Sequence, residues 1–169
     1  MIPLPKHRNG SPPVNKSSVL AQILSVLTAE LAALTRAAQG AFAAATDPDS
    51  KAENKYDTRT LEASYVARGQ AQRVAELQQA VQAFGALSGH ELESGAAVTL
   101  GALVSLSLSG ETTYYFLGPF AGGTEITHEG SEVVVITPAS ALGQKLMGRR
   151  AGESIPMQPG LSARIATVQ

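Results

Sequence analysis

The first half of the chain carries a long apolar stripe with helical spacing. Between Lys16 and Ala45 there is no proline, and alanine and leucine dominate, which predicts a long α-helix with Ser17 or Ser18 as its N-cap. Intervals of four and three, typical of a coiled-coil seam, separate the apolar positions Leu20, Leu24, Leu27, Leu31, Leu34 and Ala38. Such a stripe requires a partner helix.

A second stripe with the same rhythm follows a turn. The sequence Thr46-Asp47-Pro48-Asp49 ends the first helix, because Asp and Pro favour turns and helix starts. Beyond it the four–three spacing returns at Tyr56, Thr60, Ala63, Ala67, Gln70, Val74, Leu77, Val81 and Phe84. At about 1.5 Å per residue, roughly 28 residues give each arm a length of about 40 Å. We predict an antiparallel helical hairpin, although periodicity alone also allows two helices that lie on one globular core.

After Gly85 the pattern changes to the alternation of strands. Val104, Leu106 and Leu108 alternate with serines, and a β-branched and aromatic run, Thr112–Leu117, follows. Ser109-Gly110-Glu111 has the composition of a hairpin turn, and the apolar run Val133–Ile136 is typical of a buried strand.

The last part of the chain combines a short helix with a closing strand. We expect Ser140 to cap a helix over Ala141–Met147, Gly148 to end it in a left-handed conformation, and Ala163–Val168 to complete the sheet. The predicted class is α+β. Its parts are a Pro-rich disordered tail over 1–16, a hairpin over 17–87 with its tip near 46–57, and a sheet-plus-helix domain over 92–169.

Composition and charge exclude several kinds of site and partner. The chain has 169 residues and no Cys, which excludes a disulfide framework, a thiol nucleophile and Cys-based metal sites and fits a reducing cytoplasm. With 13 basic against 14 acidic residues the formal charge is -1, so independent nucleic-acid binding is not expected. The tail lacks the apolar core of a signal or membrane span. His7, His90 and His128 are scattered along the sequence, so their spacing does not indicate a metal site. Gly118–Gly123 lacks the Lys-Ser/Thr of a phosphate-binding loop, and we interpret it as a turn.

Two segments resemble the GreA/GreB family of bacterial transcript-cleavage factors. Asp49–Tyr56 is similar to the family's acidic tip, which continues with Glu-Asn and a nearby Tyr. Val133–Glu153 is similar to the family's strand, Ser-Pro-apolar helix start, Leu-apolar-Gly turn and Gly-Asp/Glu. Two departures stand out. The acids Asp49 and Glu53 are four residues apart instead of three, and Ala141 stands where the family commonly has Pro.

The resemblance implies an accessory factor rather than an enzyme. In this reading the second half is FKBP-like, and the protein is a cytoplasmic monomer that binds RNA polymerase and inserts the hairpin into its secondary channel. The tip carboxylates Asp47, Asp49 and Glu53 would serve cleavage of backtracked RNA, with Asp49 and Glu53 as ligands of a Mg²⁺ shared with the polymerase and no cofactor of the protein's own. The implied partner-binding residues are Ser140, Ala141, Leu142, Leu146, Gly148 and Gly152.

The charge pattern of the tip indicates which ion it could bind. In a helix, Asp49, Glu53 and Asp57 share one face, and Mg²⁺ accepts one or two carboxylates in sites that it shares with phosphates. The plainer interpretation is a solvated helix start, where acids gain roughly 0.3–1 kcal/mol from the helix dipole. Two further hypotheses stay open: a secondary-channel binder without cleavage activity that competes with cleavage factors, and a plain hairpin interaction module.

Overall fold

The computed structural model describes residues 14–46, 58–90, 92–93 and 95–169. Its elements in chain order are α1 (Lys16–Thr46), α2 (Thr58–Gly85), β1 (Leu103–Leu108), β2 (Glu111–Leu117), β3 (Glu125–His128), β4 (Ser131–Ile136), α3 (Ala141–Leu146), β5 (Ser154–Gln158) and β6 (Leu161–Val168). Two long helices are followed by a sheet with a short helix, which confirms the predicted α+β class. The chain divides into a helical unit, Ser25–Gln82, and a sheet unit formed by the described residues up to Leu24 together with Ala83–Gln169.

The first helix begins at Lys16, two residues earlier than an N-cap at Ser17 would place it. Asn15 Oδ1 accepts the backbone N–H of Ser18 at 3.0 Å and the hydroxyl of Ser17 at 2.6 Å. Asn15 is therefore the N-cap, because its side chain satisfies a free N–H of the first turn. Val14 and Lys16, which the sequence assigned to the tail, are buried. Residues 1–13 lie outside the described residues.

In the helical unit, one exposed ion pair joins the two arms. Glu30 of α1 and Arg73 of α2 approach to 3.5 Å, and Leu27 and Leu77, both predicted seam positions, are buried. Farther along α1, Leu31 and Leu34 are half-buried. The described stripe positions Leu27, Leu31, Leu34 and Leu77 therefore lie on buried or half-buried faces of α1 and α2.

The sheet unit is built on one mixed six-stranded sheet with the order β3-β4-β2-β1-β6-β5. Strands β2 and β4 are parallel, and the other neighbours are antiparallel. Ser109 and Gly110 both have positive φ (52° and 86°) and join the pair Leu108↔Glu111, which is the two-residue hairpin geometry that matches strand twist. The predicted turn is confirmed.

Two short edge strands were not predicted. The strand β3 is too short to show a periodic pattern. The strand β5 contains Pro156, which has no backbone N–H to donate and is therefore disfavoured in a central strand. The end of β3 is covered by α1, because the Gln22 side-chain amide donates to the Thr127 carbonyl at 2.7 Å.

The sheet has a core on each face. One face, covered by α3, carries the buried cluster Val98, Ala102, Val104, Leu106, Tyr115, Leu117, Val134, Ile136, Leu146, Ile155, Ala163 and Ile165. On the other, the ring of Phe116 stacks on that of Phe84 at a centroid distance of 6.0 Å. A Cβ on Gly118 would lie 2.5 Å from the Phe84 ring, so the predicted turn after β2 needs glycine for this close approach.

Candidate functional site

The segment that follows β4 starts with a capped helix. The backbone N–H of Gly143 donates to Ser140 Oγ at 3.0 Å, and the same hydroxyl donates to the Thr137 carbonyl at 2.7 Å. Ser140 has extended backbone angles, φ −68° and ψ 154°, as an N-cap requires. The predicted cap and helix are confirmed, and the polar capacity of Ser140 is used within the fold.

The first turn of α3 lies against the preceding backbone. A Cβ on Gly143 would lie 2.0 Å from the Thr137 carbonyl oxygen, so only glycine fits there. Ala141 is exposed, and Leu142 is half-buried against the core. Leu146, by contrast, is fully buried at 0% exposure. This corrects its assignment as a partner-binding residue, because its side chain anchors α3 to the sheet and presents no surface.

After α3, two glycines shape an exposed loop. Gly148 has φ 76° and Gly152 has φ 92°, and a side chain at such angles is strained. Gly148 N donates to the Val98 carbonyl at 2.9 Å, and Val98 N donates to the Arg149 carbonyl at 2.7 Å. The strap 97–98 therefore holds the loop from one side, while Gly152 N bonds the Ile165 carbonyl at 2.8 Å from the other.

One carboxylate closes this loop. Glu153 Oε2 accepts from Arg149 Nη1 at 2.9 Å, and Glu153 Oε1 accepts from the backbone N–H of Arg150 at 2.9 Å. The hydrogen bond from the Arg149 side chain, followed by that from the Arg150 backbone, lowers the pKa of Glu153 below its usual 4.5. The guanidinium of Arg150 in turn donates to the Gly95 carbonyl. The loop is thus preorganised by charged groups that are themselves solvent-exposed.

We name Ser140–Glu153 the docking segment. Of its six predicted partner-binding residues, Ala141, Gly148 and Gly152 are exposed, Ser140 and Leu142 are half-buried, and Leu146 belongs to the core. Within the described part of the chain no group of three His, Asp or Glu side chains is placed to hold a metal ion. The described segment is thus held in place by hydrogen bonds to its flanking backbone while part of its surface stays exposed.

The predicted tip lies outside the described residues. Asp47, Asp49 and Glu53, with their proposed Mg²⁺ site, fall between the end of α1 at Thr46 and the start of α2 at Thr58. Their role as metal ligands stays a prediction.

Among the described helices, α1 is long and apolar enough to cross a membrane. The window Lys16–Ala43 of α1 has a hydropathy of 1.6, and 22% of it is buried. Because Glu30 in the middle of the window pairs with Arg73 of α2, and a bilayer makes such charges expensive, we interpret α1 as a hairpin arm.

Sequence reasoning missed the residues that hold the docking segment in place. Val98 and Ala97 precede β1 in a stretch without periodicity, and their pairing with 148–150 is long-range. Glu153 belongs to the quoted motif, but its contacts with Arg149 and Arg150 follow only from the loop geometry.

The described chain is therefore an α+β protein with two long N-terminal helices and a mixed sheet that presents a rigid surface loop. No protein-family model matches it, and no curated protein matches it. Solved structures do match. GreA factor homolog 1 (Gfh1) of Thermus thermophilus is 21% identical, with 90% of this chain and 94% of that chain covered and a TM-score of 0.36.

Two further matches are Gfh1 structures as well. Gfh1 of Thermus aquaticus is 18% identical over 86% of this chain and 92% of that chain, with a TM-score of 0.35. A structure described as the transcription factor Gfh1 is 22% identical over 92% of this chain and 94% of that chain, with a TM-score of 0.36. These structural neighbours are GreA homologues, the family that the two sequence segments resemble.

Proposed function

We propose that this chain is a Gre-like transcription elongation factor that acts on bacterial RNA polymerase. It docks through the sheet unit, inserts the hairpin into the secondary channel and supplies tip carboxylates for Mg²⁺-dependent cleavage of backtracked RNA. The observation that carries the proposal is the docking segment, in which a family-like sequence forms a capped helix and a preorganised exposed loop. The chemistry belongs to the polymerase, and this protein is an accessory factor.

The docking segment has the properties of a protein-binding surface. Its backbone is fixed by the Ser140 cap, by the Val98 strap and by Glu153. Binding to a surface that is already ordered loses little conformational entropy, which favours affinity.

The helices supply the reach that the mechanism requires. The part of α1 that belongs to the helical unit runs from Ser25 to Thr46, which corresponds to about 33 Å at about 1.5 Å per residue. A carboxylate pair presented by such an arm, Asp49 and Glu53, would complete a second Mg²⁺ position beside a metal of the polymerase. In two-metal phosphodiester hydrolysis one ion activates water and the other stabilises the leaving oxygen.

A second candidate function has its own observation. Asp49 and Glu53 are four residues apart with Ser50, Lys51 and Ala52 between them, whereas the family's acids are three apart. A tip with altered spacing favours a protein that occupies the same channel without stimulating cleavage and competes with active factors.

One experiment distinguishes the two proposed functions. Stalled, backtracked polymerase complexes with labelled RNA are incubated with the protein alone, and then with an active cleavage factor plus increasing amounts of the protein. Shortening of the RNA with the protein alone supports the cleavage factor. Inhibition of the active factor without intrinsic shortening supports the competitor. If neither effect occurs and the protein does not bind the polymerase, both proposals are wrong.

A further inference from the structure

A small apolar groove opens on the face of the sheet that α3 covers in part, which we call the α3 face. Leu108 and Met157, both half-buried, line the groove together with the buried ring of Tyr115. The exposed carboxylate of Glu111 and the hydroxyl of Thr113 form its polar side. The groove therefore offers apolar and aromatic surface next to a negative charge.

Strand pairing places two more glutamates on the same face. Glu125 pairs with Val134, a member of the buried cluster of the α3 face. Glu132 lies two residues before Val134 on β4 and shares its face, because successive side chains of a strand alternate. Strands β1 to β5 contain no Lys or Arg. Arg164 of β6 is on the opposite face, since both of its neighbours belong to the cluster. The sheet surface from β3 to the groove is therefore acidic.

The segment that precedes the described residues has the complementary composition. Residues 1–13 contain Lys6 and Arg8 and no acidic residue. Ile2 and Leu4, each followed by a proline, lie farther from α1 than the two basic residues. Proline-rich chains favour an extended conformation already when free, and grooves with aromatic side chains are their usual binding sites.

The order of charges along this segment matches the order of strands in the sheet. Gln22 of α1 donates to the backbone of β3, the edge strand, and β4, β2 and β1 follow. A chain that leads from α1 round this edge meets Glu125 and Glu132 before it reaches the groove. Strands β4 and β1 are two strand spacings apart, about 10 Å. The chain from Arg8 to Leu4 spans up to about 13 Å, and that from Arg8 to the start of α1 up to about 26 Å.

We propose that residues 1–13 bind across the α3 face of their own chain, with the basic pair against the glutamates of β3 and β4 and with Leu4 in the groove beside Tyr115. Lys145 of α3 does not compete for these glutamates, because it donates to the Pro156 carbonyl at 2.8 Å, on the opposite edge strand. Covalent attachment gives the segment a high effective concentration, which favours its own chain over a second copy. The inference does not depend on the proposed function.

The test measures where the segment lies in the full-length protein. The chain contains no Cys, so His7→Cys carries a nitroxide spin label at a single site and keeps the basic and apolar residues on either side. We expect the label to broaden the backbone amide NMR signals of Leu108 and Thr113, relative to the same sample after the nitroxide has been reduced.

Variants of the labelled protein test the charges and the apolar anchor. Glu125→Gln/Glu132→Gln should lose most of the broadening, and so should the wild-type sheet in about 1 M salt, where the Debye length falls to about 3 Å. Leu4→Ser should lose it without any change in the folded part of the chain. Glu93→Gln, which removes an exposed glutamate that precedes β1, is the matched control and should keep it. Amide spectra of the reduced samples verify that every variant is folded.

The remaining outcomes contradict the inference. If Leu108 and Thr113 are not broadened, or if the broadening is the same in all variants and in salt, the segment does not bind this face. In a mixture of spin-labelled protein and isotope-labelled protein without the nitroxide, broadening of the same amides would assign the segment to a second copy of the chain. None of these measurements involves the polymerase, so their result is separate from that of the proposed function.

Discussion

Ser140 and Gly143 are joined by a capping hydrogen bond of 3.0 Å from the Gly143 N–H to Ser140 Oγ. The helix that this bond starts, Ala141–Leu146, has six residues, too few to be stable without its cap and its tertiary contacts. The docking segment therefore depends on local bonds as much as on burial.

The cap can be tested by a pair of substitutions. Ser140→Ala removes the acceptor for the Gly143 N–H and should lower the free energy of unfolding by about 1 kcal/mol. Ser140→Thr keeps a hydroxyl that can accept from the Gly143 N–H and donate to the Thr137 carbonyl, and should unfold close to wild type. Urea denaturation of the three proteins measures the difference. Equal midpoints for Ser140→Ala and wild type would show that the cap does not contribute.

Two glycine-to-alanine changes should have opposite signs. At Gly143 a Cβ would lie 2.0 Å from the Thr137 carbonyl oxygen, so Gly143→Ala should destabilise the protein by about 1–3 kcal/mol. At Gly69, inside α2, a Cβ meets nothing within 4 Å, so Gly69→Ala should stabilise α2 by about 0.5–1 kcal/mol. Chemical denaturation of both variants measures the change in the free energy of unfolding. A Gly143→Ala protein as stable as wild type would contradict the close packing of α3.

The Glu153 carboxylate should titrate below its usual range. Its pKa is lowered first by the hydrogen bond from Arg149 and next by that from the Arg150 backbone. A depressed pKa in the folded state means that the stabilising contribution is present above the unfolded value of 4.5 and is lost as the pH falls through the folded value. NMR titration of the side-chain carboxyl carbon should give a low value in wild type that rises in Arg149→Gln.

Arg164→Gln is the control for that titration, because the Glu153 carboxylate accepts its hydrogen bonds from Arg149 and Arg150. A pKa of Glu153 that is unchanged by Arg149→Gln would show that the ion pair does not close the loop in solution.

The docking segment should tolerate charge in the fold but not in the complex. In Ser140→Asp/Leu142→Asp the first change keeps a capping oxygen but loses the donor to the Thr137 carbonyl, and the second places a charge at a half-buried position of the candidate interface. Pull-down of RNA polymerase should be lost while the helical circular dichroism signal persists, since an unpaired buried charge at an interface core is costly. Full retention of the polymerase by this folded variant would assign docking to another surface.

How far the sequence predicts the structure depends on the range of the interactions. The stripe from Leu20 to Ala38 and the alternation from Val104 to Leu108 reflect local periodicity, and both gave the correct elements. Strand β3 and the proline-containing edge strand β5 are too short or too irregular for a periodic signal. Their places in the sheet come from pairing with β4 and β6.

The features of the candidate site likewise divide into those set by local sequence and those set by long-range contacts. The Ser140 cap and the Gly148 turn follow from residue types in a short window. The burial of Leu146 and the Val98 strap depend on contacts between segments that are distant in sequence. A motif quoted from a family cannot separate the residues that face a partner from those that hold the motif in place.

We propose that the tip carboxylates Asp49 and Glu53 act inside the polymerase. The most direct measurement is the rate of RNA cleavage by backtracked polymerase with wild type, Asp49→Asn and Glu53→Gln, with polymerase binding measured in the same samples. We predict stimulation by wild type and its loss in both variants at unchanged binding, because an amide keeps the shape of a carboxylate but not the charge that Mg²⁺ requires. Stimulation that both variants retain in full would contradict the role of Asp49 and Glu53.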